Sequence, residues 1–133
     1  MKKVIMPVLF LILSISETLA LFILSVLPSI TFIRMGLRSG DIEHLFAYFI
    51  YGFILFKTFE GFGTGKRKSL LLSLIIGSSV GLLCEFVQYT LPYRTGDTID
   101  WFIDTASCLL GSRLAYRNKI LKHFKITNKR KYA

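Results

Sequence analysis

The chain has 133 residues, 53% of them apolar, and a formal net charge of +9. That length bounds it to one domain, and the apolar share exceeds what a water-soluble domain of this size normally carries. The basic excess by itself would suit a nucleic-acid partner, but the apolar residues come in long unbroken runs and the charges are confined between them, which points to a membrane instead.

Four such runs stand out, at 4–27, 42–59, 69–91 and 99–116. A run of about 20 apolar residues spans a bilayer as a helix, because only a helix or a closed barrel satisfies its own backbone there. The expectation is an all-α integral membrane bundle of four transmembrane helices over 1–116, followed by a basic tail at 117–133. Linkers are short, and there is no internal repeat.

The first run is preceded by Lys2 and Lys3 and contains "TLA" ending at Ala20, which resembles a signal peptide with its small-residue cleavage site. The apolar character continues through "LFILSVL" to Leu27, so the segment reads as a retained first span. Cys84 and Cys108 fall inside the third and fourth runs and read as small buried residues, not as a disulfide framework.

Fourteen of the 17 basic residues lie before the first span, around the loop between the second and third, or from the end of the fourth onward. Only Arg34, Arg38 and Arg94 fall on the other side. The positive-inside rule then places both termini in the cytoplasm. The tail after Arg113 extends the last helix and lies on anionic lipid. It is basic but has nothing that reads bases, so no nucleic-acid partner is expected.

The acids follow the opposite pattern. Asp41, Glu43, Glu85, Asp97, Asp100 and Asp104 gather at or just below the outer surface, joined by His44, Gln88 and Arg94, while Glu17 lies within the first span and Glu60 on the cytoplasmic side. Asp41 and Asp97 sit where helix N-caps are expected, and Asp97 with Asp100 resembles a capping box. Glu43 reads as an interfacial side chain and Glu60 as a loop residue beside Gly61 and Gly63. The segment "GFGTGKRKS" reads as a flexible loop, since it lacks the spacing and preceding strand of a phosphate-binding loop.

Capping does not account for His44, Glu85, Gln88 or Asp104. Glu85 precedes Leu91 by six residues, about 9 Å of helical rise, and an ionised group inside a span costs about 2.5–3.5 kcal/mol at its centre. Such groups face the bundle interior and mark a functional site by default, the alternative being a structural ion bridge such as Glu85 with Arg94. Asp41, His44 and Tyr48 share one helical face, as do Gly81, Glu85 and Gln88, and Asp97, Asp100 and Asp104. Ser73, Gly77 and Gly81 on the third span, and Ser107 and Gly111 on the fourth, let backbones approach on those faces.

This ordered set resembles a known pattern. "DIEHLFAYFIYGFILF", then "CEFVQ", then "RTGDTIDWFIDTASCLLG" is similar to the VanZ-like family, named for a protein associated with teicoplanin resistance. The resemblance implies a cell-envelope membrane protein in which Asp41, His44, Tyr48, Glu85, Gln88, Arg94, Asp97 and Asp100 occupy family positions. Asp104 stands where the family typically has Asn, Ser107 where it often has Gly, and Ile42 where Lys is common.

Three functions fit these residues. One is recognition of a lipid-linked or cell-wall component, or control of glycopeptide access to it, with Arg94 and His44 meeting anions and the carboxylates meeting amines or hydroxyls. A second is a membrane-embedded enzyme in which His44 and Glu85 perform acid–base chemistry. The third is proton-coupled transport, against which stands the lack of a visible broken-helix repeat. Asp41, His44 and the other acids are acceptable metal ligands, but no set has the spacing of a metal motif, so neither a metal nor a cofactor is expected.

Overall fold

The computed structural model describes residues 2–28 and 41–117, with the backbone alone at 2–4 and 41. It contains four helices in chain order, α1 (Lys2–Val26), α2 (Asp41–Gly61), α3 (Lys66–Thr90) and α4 (Thr98–Arg117), and no strand among the described residues. Residues 29–40 of the α1–α2 connection, Arg34 and Arg38 among them, and the tail beyond Arg117 lie outside the described residues.

The helices match the expected runs within three residues at each end. Helices α1, α2 and α3 are long and apolar enough to cross a membrane. At 20 residues α4 has the length, but Asp100, Asp104 and Arg113 interrupt its apolar character. Those groups are accommodated by position, because α4 packs mainly against α2 and α3 and buries Asp104 and Cys108 completely. Its opposite face, Ile99, Phe102, Leu110 and Leu114, is apolar and exposed, like Leu9, Ile12, Leu71, Ile75 and Leu83 on α1 and α3. Large apolar side chains thus point outward while serines, a glutamate and an aspartate point in, an arrangement suited to lipid around the bundle.

Small residues set the interhelical distances. Ser69, Ser73, Gly77, Gly81, Cys84, Glu85 and Gln88 form the buried face of α3. Where α2 and α4 cross, a methyl group on Gly52 would collide with the Cys108 carbonyl and one on Gly111 with the Phe49 carbonyl. The hydroxyl of Ser112 donates to the Gly52 carbonyl at 3.0 Å, which satisfies a buried polar group at the same crossing. Both cysteines are buried and free.

One end of the bundle is closed by charged groups. Glu60 belongs to α2 and is not a loop residue: the buried Lys57 reaches it at 2.8 Å across the i, i+3 spacing. The expected loop at 61–69 shrinks to a short turn, because Lys66 already opens α3 and its ammonium donates to the Tyr116 carbonyl at the end of α4, 2.7 Å away. Basic side chains at a helix C-terminus satisfy carbonyls that have no partner within the helix.

Candidate functional site

The opposite end carries the polar cluster. There the start of α2, the end of α3 and the start of α4 converge, and the α3–α4 connection folds over them. His44, one turn into α2, places Nδ1 2.9 Å from Oδ1 of Asp104, which lies two turns into α4 and has no exposed surface. Glu85 on α3 is 6% exposed, and its Oε2 accepts the Asp97 backbone N–H at 2.8 Å. One donor atom each from His44, Glu85 and Asp104 lies within 4.8 Å of the others. Three helices therefore meet at one imidazole and two carboxylates.

The surroundings are as specific as the cluster. Tyr48, buried one turn below His44, stacks on its ring with centroids 6.2 Å apart. Asp100 is near enough to His44 and Glu85 to act on both electrostatically. A side chain at position 96 would press on the Glu85 carbonyl and the Tyr89 amide, so Gly96 is what lets the connection lie flat against α3 and deliver the Asp97 amide to Glu85. Oε1 of Glu85 and Oδ2 of Asp104 are shielded and have no hydrogen-bond partner among the described residues.

Other residues of the expected site serve differently. Asp97 is the N-cap of α4: its Oδ1 accepts the Ile99 amide at 2.9 Å, the bond an N-cap supplies. Arg94 is not bridged to Glu85. It donates from Nε to the Leu27 carbonyl at 2.8 Å and from Nη2 to the Leu24 carbonyl at 2.6 Å, and Tyr93 donates to the Val26 carbonyl at 2.8 Å. Together they tie the α3–α4 connection to the C-terminal carbonyls of α1. Gln88 is buried on the Glu85 face of α3, one turn nearer the connection. The Asp41 side chain lies outside the described residues. Glu43 is half-buried with Oε1 shielded and without a hydrogen bond, more enclosed than an interfacial side chain. Glu17 is half-buried on α1, where the neighbouring Thr18 shares a 2.7 Å hydrogen bond with the Tyr51 hydroxyl, and it is not one of the three groups of the cluster.

A second polar contact was not expected from sequence. The indole N–H of Trp101 meets both the carbonyl and the hydroxyl of Ser78, and Thr105 donates to that hydroxyl at 3.0 Å. The signal lay in Trp101 and Thr105 standing four apart on α4, where they can address a single point on a neighbouring helix.

Fold and cluster define a helical membrane protein that keeps an imidazole and two carboxylates inside its bundle. A family model described as VanZ/LLP1 matches residues 4–122, and the chain belongs to that family. No curated protein and no solved structure matches it.

Proposed function

We propose that this protein is a multi-pass protein of the cell membrane that uses the His44–Glu85–Asp104 end of its bundle, on the outer side, to recognise a lipid-linked or cell-wall component. The observation that carries the reading is the burial of Glu85 and Asp104 against His44 at the mouth of the bundle, with His44 still 25% exposed. Polar groups so placed are expensive in a membrane, and a wet or ligand-facing cavity is their usual setting. The basic loop and tail support an outward orientation for that end. Asp100 and the cluster suit amines or hydroxyls of an envelope ligand, and family membership extends the reading to glycopeptide action, including that of teicoplanin. Arg94 is engaged with α1 carbonyls, so the anion-binding role expected of it carries less weight.

A second reading, acid–base catalysis, has its own observation. Asp104 fixes the His44 ring through Nδ1, which is how a carboxylate orients an imidazole for proton transfer. Native mass spectrometry on protein released from membranes tests recognition: an envelope lipid or lipid-linked precursor should be retained by the native chain and lost from Glu85→Gln at equal abundance. Equal retention by both would overturn it. Turnover of a retained precursor that vanishes in His44→Gln would favour catalysis over recognition alone.

A further inference from the structure

We infer that His44, Glu85 and Asp104 form a binding site for a divalent first-row transition-metal ion of the Zn²⁺ type. The inference concerns the cluster described above but needs no envelope ligand, so the two readings succeed or fail separately.

The donor set comes first. One imidazole nitrogen and two carboxylate oxygens, from three helices, lie within 4.8 Å of one another. Donors around one bound ion stand roughly 3–4 Å apart, so only small side-chain adjustments are needed to close the set. Three protein ligands of mixed nitrogen and oxygen type, with a further position left for water or substrate, are what an open zinc site uses. Cys108 stays out of it, with its thiol pointed at the Ser73 carbonyl, 3.5 Å away.

A second observation is independent of proximity. Glu85 is 6% exposed and Asp104 0%, yet Oε1 of the first and Oδ2 of the second have no hydrogen-bond partner among the described residues. A buried carboxylate oxygen left unpaired is costly. A cation satisfies both oxygens at once. Among the described residues no basic side chain fills that role, since Arg94 is turned to α1 and Lys57 and Lys66 sit at the opposite end of the bundle. The other two carboxylate oxygens hold the side chains in place, as outer partners of metal ligands do: Glu85 Oε2 accepts the Asp97 amide, and Asp104 Oδ1 is paired with His44 Nδ1, which leaves Nε2 of that ring for an ion.

The test uses the full chain in detergent, stripped with a chelator and titrated with Zn²⁺ alone. The expected result is one ion per chain, with affinity lowered at least tenfold by Glu85→Gln and by Asp104→Asn and unchanged by His123→Gln, a control for imidazole elsewhere. Absence of stoichiometric binding, or equal binding by native and variant chains, overturns the proposal. Should a variant fail to fold, X-ray absorption on the zinc-loaded native protein decides alone: a shell of nitrogen and oxygen with a single imidazole supports the site, and sulfur or several imidazoles in the shell reject it.

Discussion

His44 Nδ1 and Asp104 Oδ1 stand 2.9 Å apart across α2 and α4, the two helices that pack most extensively in the bundle. The pair therefore orients a ring and joins two helices. Removing the carboxylate in Asp104→Ala leaves Nδ1 without its partner in an enclosed site and should cost about 1–3 kcal/mol. Asp104→Asn, the residue typical of the family pattern, keeps an oxygen that accepts from Nδ1–H and should cost less. Unfolding in mixed micelles measures both; an alanine variant as stable as the asparagine one would show that the hydrogen bond contributes nothing to the fold.

Glu85 and Arg94 should behave independently. Glu85 accepts the Asp97 amide, whereas Arg94 donates to carbonyls of Leu24 and Leu27, so they share no partner. In a double-mutant cycle the effects of Glu85→Gln and Arg94→Gln on stability should add within about 0.5 kcal/mol. Rescue of one by the other would restore the ion-bridge reading of Glu85. Glu85→Gln alone should preserve abundance, because the amide oxygen can still accept from Asp97.

The helices and the facing of His44, Glu85 and Asp104 were legible because an apolar run makes each polar interruption conspicuous and helical spacing gives it a direction. The small-residue face of α3 was legible for the same reason. Arg94 was not. A basic residue in a connection has many acceptors within reach, and the free carbonyls that end α1 leave no mark on side-chain identity. The convergence of His44, Glu85 and Asp104 within 4.8 Å was hidden too, since they stand 41 and 19 residues apart and no local motif joins them. Lys57 and Glu60 at i, i+3 did carry a helical signal, but the neighbouring Gly61 and Gly63 suggested an earlier helix end.

Gly111 should be intolerant of any side chain. Its α-carbon faces the Phe49 carbonyl so closely that a single methyl collides with backbone, which cannot move aside as a side-chain tip can. Gly111→Val should cost about 3 kcal/mol or more by forcing α4 away from α2. Leu110→Ala next to it, on the exposed face at 59%, should stay within about 0.5 kcal/mol. Similar losses at both positions would contradict the close crossing of the two helices.

The orientation of the bundle can be read from two single cysteines. Phe62 lies in the α2–α3 turn and Thr95 in the α3–α4 connection, both exposed and at opposite ends of α3. Native Cys84 and Cys108 are 2% and 0% exposed, so they should react little and need not be removed. The excess of Lys and Arg near the α2–α3 turn predicts that this turn is cytoplasmic. A membrane-impermeant maleimide should then label Thr95→Cys in intact cells and Phe62→Cys only after permeabilisation. The reverse pattern would put the His44–Glu85–Asp104 cluster on the cytoplasmic side and end the outer-surface reading of its ligand. Labelling of both positions in intact cells would mean that α3 does not cross, despite its length and apolar surface.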